Sequence, residues 1–258
     1  MTCTRAHTLV TGASSGIGRA TALRLAAAGQ HVYAGVRTDA DAAALTSAAA
    51  GWELTPVILD VTDPVQIAAV ATTVTDHVGT AGLDGLVDNA GIGVAAPTEL
   101  LPLDTFRRLL EINVVGQLAV TQTFLPLLRS ARGRIVVIST IGVRFRPPFA
   151  GPLDATKAAL AELAHALRQE LASWGIRVVL VEPASIASPA ADKVARDAEA
   201  TLAQADPARR DLYRTGKFAR RMAALSLLPT PLLDALRRRL FGLPAPGSLT
   251  APVPVRRT

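Results

Sequence analysis

The chain predicts a single α/β domain: a doubly wound parallel sheet with helices on both faces. Three observations carry this. Short apolar runs alternate with helix-patterned segments from the first residues to about Glu182, the rhythm of successive β-α units. Half of the residues are hydrophobic but only 4% are aromatic, so the core must be built from Ala, Val, Leu and Ile, as in strands buried on both faces. A length of 258 residues suffices for one large core.

The elements follow in order. His7–Val10 is a strand that runs into a glycine loop, and a helix from Ile17 to Ala28 ends at Gly29. His31–Val36 is the second strand, and Thr38 or Asp39 caps the Ala-rich helix after it. Thr55–Leu59 is the third strand, closing on Asp60. Asp63-Pro64 opens the next helix with an acid at the cap and proline in the first turn. Leu83–Asp88, Arg134–Ser139 and Arg177–Glu182 complete six strands. They are separated by helices over Leu103–Leu128 and Asp154–Trp174, the latter stopped by Gly175. Asp192–Gln204 reads as a further helix and Leu212–Gly216 as a final edge strand. Residues 1–227 form the domain. Residues 228–258 form a Pro/Arg-rich appendage whose segment Pro231–Phe241 is a basic amphipathic helix.

The net charge of +6 lies almost wholly in residues 191–258, which carry 13 basic and 6 acidic side chains. No nucleic-acid motif accompanies this charge, so it reads as a solvated tail and helix face. Peripheral membrane contact and homo-oligomer packing stay open for the C-terminal helix, with packing preferred. Cys3 is the single cysteine, which excludes an internal disulfide and fits a cytoplasmic setting. No apolar run approaches the ~20 residues that span a bilayer, the N-terminus lacks a signal-peptide pattern, and no metal-ligand spacing is present.

The most specific motif is Thr11-Gly12-Ala13-Ser14-Ser15-Gly16-Ile17-Gly18, set between the first strand and the first helix. Gly12 allows the tight turn, Gly16 lets the backbone approach a pyrophosphate, and Gly18 lets the helix pack closely. The helix N-terminus, with Ser14, Ser15 and Ile17 around it, then offers free N–H groups to phosphate. With this motif the chain resembles the short-chain dehydrogenase/reductase family, steroid- and retinol-type members included, over about Thr8 to Gly242. The resemblance implies a Rossmann fold. Asp60-Val61 stands where the family's Asp meets adenine, and Asp88-Asn89-Ala90-Gly91 matches Asn-Asn-Ala-Gly with Asp in first place. Asn113 matches the family's helix asparagine. Pro183-Ala184-Ser185-Ile186-Ala187-Ser188 resembles Pro-Gly-x-x-x-Thr. The second strand is followed by Arg37 rather than an acid, which favours NADP(H) over NAD(H) because a guanidinium can pair with a 2′-phosphate.

Within that resemblance one position departs sharply. The family's Tyr-x-x-x-Lys becomes Leu153-Asp154-Ala155-Thr156-Lys157. Lys157 is kept, where the family uses lysine both to tune the tyrosine and to hold the nicotinamide ribose. The family's substrate-orienting hydroxyl lies thirteen residues before the tyrosine, at Thr140, with Ser139 as the alternative. Asn113 is the proton-relay position. Leu153 has no proton to give, and a positioned acid is worth ~10²–10⁴-fold. Asp154 is a candidate substitute if burial raises its pKa, against a capping or ion-pairing role. Asp88 and Tyr213 are weaker candidates. The substrate lid after the sixth strand reads as shortened. These features point to a repurposed NADP(H)-binding enzyme acting on a bulky apolar small molecule, through a reaction that need not be redox, such as cyclisation or isomerisation. A non-catalytic binding protein and a carbonyl reductase with a substitute donor are the alternatives.

Overall fold

A computed structural model describes residues 5–184, 199, 212–215, 225 and 227–241. Seven parallel strands form one sheet in the order β3-β2-β1-β4-β5-β6-β7. They are β1 (His7–Val10), β2 (His31–Val36), β3 (Leu54–Ile58), β4 (Gly85–Asp88), β5 (Arg134–Ile138), β6 (Arg177–Pro183) and β7 (Leu212–Thr215). The doubly wound parallel sheet is thus as the sequence predicts, and β7 is the edge strand expected around Tyr213.

Successive residues along each strand face opposite layers. Leu9, Leu86, Ile135 and Leu180 point into one core with the helices α3 (Pro64–Val78), α5 (Gln117–Ala131) and α7 (Gly151–Glu170). Their neighbours Val10, Val87, Val136 and Val181 point into the other, beneath α1 (Gly16–Ala27) and α2 (Asp39–Ala49). The strands β1, β4, β5 and β6 are therefore buried on both sides, which is why the sequence shows continuous apolar runs there instead of alternation. Tyr33 is fully buried in the first core, as expected of it.

The caps are local. Thr38 Oγ1 accepts from the Asp41 N–H at 3.1 Å, so Thr38 and not Asp39 starts α2. Asp63 Oδ1 accepts from Val65 and Gln66 N–H at 2.8 and 3.2 Å ahead of Pro64.

One predicted element differs in kind. The single helix expected over Leu103–Leu128 is α4 (Leu103–Leu110), a π-helical turn over Glu111–Gly116, and α5. The widened turn carries Asn113, whose buried amide is bonded outside the helix. Such turns gather at functional sites. After the short helix α6 (Gly142–Phe145), α7 begins at Gly151, three residues before the expected start, so Asp154 lies in its first turn and is not its cap. The C-terminal helix α8 (Thr230–Phe241) is present, with Leu233 buried and Leu232 and Leu240 exposed. The helix expected at Asp192–Gln204 and the shortened lid lie outside the described residues, apart from the helical Glu199.

Candidate active site

The winding of the sheet reverses between β1 and β4, where a crevice opens at the strands' carboxyl ends. Here Thr11 ties the two ends together. Its Oγ1 accepts from the Asn89 and Ala90 N–H groups, each at 2.9 Å, and donates to the Val87 carbonyl at 3.2 Å. Asn89 Nδ2 donates to the Thr11 and Gly12 carbonyls at 2.9 and 3.1 Å. Gln117 reaches from α5 to the Ala90 carbonyl. The glycine loop is thereby fastened to the Asn89-Ala90-Gly91 turn by side chains on neighbouring elements.

The loop needs its glycines for two reasons. Gly12 and Gly16 have φ of +64° and +53°, in the left-handed region that side chains avoid. At Gly18 the reason is space: a Cβ there would stand 2.2 Å from the Gly12 carbonyl oxygen and 2.4 Å from Asn89 Nδ2. Above the loop lies a cavity of about 290 Å³. The first turn of α1 holds no acid, and Ser15 leaves the helix N–H groups uncapped, so they face this space.

Gly12, Ser14, Ser15, Gly16, Ile17, Arg37, Asp60, Val61, Asn89, Ala90 and Gly91 all line the cavity. Gly18 is buried beneath it, and Pro183 is buried at the end of β6, where its carbonyl accepts from Ile141 N–H at 2.9 Å. Neither touches the cavity itself. Arg108 and Ile112 line it too and were missed. Both lie within five residues before Asn113, and that proximity to a recognised site residue was the available signal. Asp60 is shaped for a polar edge. Its Oδ1 accepts from Thr62 N–H and Oγ1 at 2.9 and 2.8 Å. The Thr62 backbone bond, with help from its hydroxyl and from Arg37 and Arg108, holds this carboxylate below its usual range against partial burial.

The second group of residues stands beside the turn after β4. Asn113 is fully buried; its Oδ1 accepts from Ile92 N–H at 2.8 Å, and its Nδ2 donates to the Ile92 carbonyl and to Thr156 Oγ1, each at 2.9 Å. Thr156 in turn donates to the Leu153 carbonyl at 2.8 Å. Lys157 Nζ donates to the Ile138 carbonyl at 2.8 Å. A Cβ placed on Gly91 would lie 3.0 Å from Asn113 Oδ1 and 3.4 Å from Lys157 Nζ, so both side chains stand just behind Gly91, which lines the cavity. Leu153, half-buried, reaches towards Gly93, with Cδ2 3.5 Å from where a Cβ on that glycine would be.

Of the two candidate hydroxyls, Ser139 is buried and donates to the Lys157 carbonyl at 3.2 Å. Thr140 is half-buried, and its Oγ1 accepts from Gly142 N–H at 3.1 Å, which leaves its own proton to donate. Asp154 turns its carboxylate against Gly142; Oδ1 is 2.3 Å from the position a Cβ would take there, and Oδ2 has no hydrogen-bond partner. It makes no ion pair with Lys157. Burial pushes Asp154 up to about 6.

Below this group lies Asp88. It is 1% exposed; Thr121 donates to its Oδ2 at 2.7 Å and its Oδ1 is unpaired. Burial raises it to about 7, against the Thr121 hydrogen bond and the Lys157 charge. Burial lowers Lys157 to about 8, against the Asp88 charge.

The glycine loop and its cavity thus lie at the carboxyl ends of the central strands, with Asn113 and Lys157 behind Gly91. A family model described as short chain dehydrogenase matches residues 6–199. The chain belongs to the short-chain dehydrogenase family. It is 39% identical to retinol dehydrogenase 5 of Mus musculus over 185 residues, 71% of this chain and 58% of that protein. To estradiol 17-beta-dehydrogenase 2 of Rattus norvegicus it is 37% identical over 177 residues, 68% of this chain and 46% of that one. The matched stretch thus spans about half the length of these relatives. A short-chain dehydrogenase from Streptomyces avermitilis has a TM-score of 0.78 at 29% identity, covering 93% of this chain and 96% of the other. One from Burkholderia cenocepacia, solved in complex with NADP, has a TM-score of 0.77 at 27% identity, covering 90% and 97%. No helix among the described residues is long and apolar enough to cross a membrane.

Proposed function

We propose that this short-chain dehydrogenase homologue binds NADP(H) and acts on a bulky apolar small molecule by a reaction that takes no proton from a side chain at position 153. A single juxtaposition carries the reading: Gly91 of the cavity has Asn113 and Lys157 directly behind it, while Leu153, one turn before Lys157, offers only methyl groups beside Gly93. The residues suit a phosphorylated dinucleotide. The α1 N-terminus would take the pyrophosphate, Asp60 would meet the adenine, and the Arg37 guanidinium would pair with a 2′-phosphate. Once bound, the nicotinamide supplies or accepts a hydride. Lys157 and Asn113 stand behind Gly91, where its ribose would rest, and Thr140 has a proton to donate to a substrate oxygen. The atypical step can be an isomerisation or cyclisation, for which no phenol is needed.

Support for NADP(H) over NAD(H) comes from Arg37 and from the Burkholderia cenocepacia neighbour's NADP complex. Support for an apolar substrate comes from the retinol and estradiol dehydrogenases among the relatives. A homo-oligomer in the cytoplasm, with α8 packed on the chain itself or on its partner, completes the reading.

Carbonyl reduction with a substitute donor has one specific observation in its favour. Asp154 is a buried carboxyl with an unpaired oxygen, against the Thr140–Gly142 turn. A nicotinamide-fluorescence titration tests the cofactor, and absence of NADPH binding would end the first reading. Arg37→Ala should weaken NADPH and leave NADH unchanged. Steady NADPH oxidation by simple apolar ketones would instead establish the reductase reading, and its loss in Asp154→Asn would locate the donor.

A further inference from the structure

Asp88 and Lys157 belong to different elements but meet at one level of the sheet. Asp88 ends β4 and is in register with Val137 of β5; the next residue of β5, Ile138, gives its carbonyl to Lys157 Nζ at 2.8 Å. The ammonium carries three protons, of which this bond uses one. The carboxyl of Asp88 has one oxygen occupied by Thr121 and one, Oδ1, with no partner at all. Both side chains are removed from solvent, at 1% and 8% exposure. An isolated charge of either kind is costly there, while the two together are less so. We propose that Asp88 is a positioning residue for Lys157: a buried counter-ion, set beyond direct ion-pair distance, whose charge keeps the ammonium protonated behind Gly91 of the cofactor cavity. Its place in the reaction rests on the NADP(H) reading above.

The charged and titratable surroundings are few. From β4 comes Asp88. From α5 comes the Thr121 hydroxyl. From the π turn comes the neutral Asn113, and on α7 itself Asp154, three residues before Lys157, faces Gly142 instead. In the absence of a phenol, Lys157 is the cationic proton-bearing side chain that stands behind Gly91. When its N–H proton leaves for an acceptor oxygen, the amine becomes neutral, and a proton from solvent restores the ammonium that the Asp88 charge favours. The opposing directions of the two groups, with Asp88 raised and Lys157 lowered by burial and each drawn back by the other, agree with such a pair.

The test uses the whole chain, whose only lysines are Lys157, Lys193 and Lys217, so ¹³Cε-lysine NMR gives three signals. Loss of one in Lys157→Arg assigns it. In the wild type this signal should titrate near 8. In Asp88→Asn, which keeps the size and the acceptor for Thr121, its midpoint should fall by about one pH unit or more. Thr121→Val should move it the same way by less, because Asp88 then holds its proton more tightly; this variant carries the test if Asp88→Asn does not fold. An unchanged Lys157 midpoint in the folded variants would overturn the proposal. NADPH affinity measured across the same pH range should turn at the lysine midpoint in each variant. If NADPH does not bind, the cofactor reading fails while the lysine titration still decides the pair.

Discussion

Replacing Leu153 with tyrosine tests whether the missing phenol is what separates this site from ordinary alcohol–carbonyl chemistry. Leu153 is half-buried and its Cδ2 stands 3.5 Å from the Cβ position of the exposed Gly93, an ordinary contact distance. A ring at this position can extend over the glycine towards the open cavity instead of into the core. The change should therefore alter stability by less than about 1.5 kcal/mol. Lys157 is one helical turn further on the same face of α7, and its ammonium would favour the phenolate and bring the phenol towards a useful pKa. A positioned acid contributes ~10²–10⁴-fold, which is about 3–5 kcal/mol of barrier. NADPH oxidation in the presence of apolar ketones and aldehydes should thus rise at least ~100-fold in Leu153→Tyr over the wild type. Leu153→Phe, with the same ring and no hydroxyl, should show no rise. A folded Leu153→Tyr that binds NADPH as the wild type does, yet turns over no faster, would refute the reasoning. A gain shared by the phenylalanine variant would assign the effect to bulk.

Two other outcomes follow from packing and charge. Gly18→Ala puts a methyl 2.2 Å from the Gly12 carbonyl oxygen, backbone that cannot swing aside. Such overpacking should cost about 1–3 kcal/mol, and thermal denaturation should show the midpoint fall by about 2–4 °C per kcal/mol; NADPH affinity should fall with it, and an unchanged midpoint would mean the loop yields. At the far end of the sheet, His7, His31, Tyr33 and His77 form a stack with adjacent ring centroids 4.8–6.2 Å apart. Burial lowers His7 and His31 below the ordinary value of 6.5, with mutual repulsion adding to it at His31. A depressed folded-state pKa means this stability is whole above pH 6.5 and is lost as pH falls through the folded value. Between pH 8 and 5 the melting temperature of the wild type should fall relative to that of His31→Gln; a difference that stays constant with pH would count against the stack as an acid-sensitive point.

The fold was legible because its signals are local and repeated. A strand buried on both faces must be apolar throughout, and Thr38, Asp63-Pro64 and Gly29 mark helix ends by chemistry confined to a few residues. The glycine loop was legible for the same reason: Gly12 to Gly18 sit in one turn, and their φ angles and close contacts explain the glycines. Less legible was whatever depends on contacts distant in sequence. The π turn at Glu111–Gly116 has no composition of its own; it is recognised once Asn113 is seen bonding Ile92 and Thr156, 21 and 43 residues away. Arg108 gives no sign in sequence of facing the same cavity as Arg37, since 71 residues separate them. Nor could spacing show that Asp154, placed for an ion pair with Lys157, would turn to Gly142, because that choice belongs to the helix start at Gly151 and the turn after β5.

Asp154 also separates a working site from an idle fold. A carboxyl pressed against Gly142 with Oδ2 unpaired stabilises nothing visible, and a chain that needed only the fold would be better served by a neutral side chain there. The cost has a definite pH signature. Burial raises Asp154 from 3.8 to about 6, so the folded state favours the protonated acid. The stability tied to that proton is fully present below 3.8, falls as pH rises, and is gone once the folded group ionises above about 6. Across that window the loss amounts to about 1–3 kcal/mol, the lower part of the range reflecting solvent screening at a carboxyl near the surface. Asp154→Asn cannot ionise. Relative to the wild type it should therefore gain about 1–3 kcal/mol between pH 4 and 8, whatever constant offset its amide introduces. Urea denaturation of both proteins at the two pH values measures this difference directly. A difference that stays flat in pH would mean that Asp154 titrates as a solvated carboxylate, and it would remove the group from consideration both as a strained acid and as a proton donor.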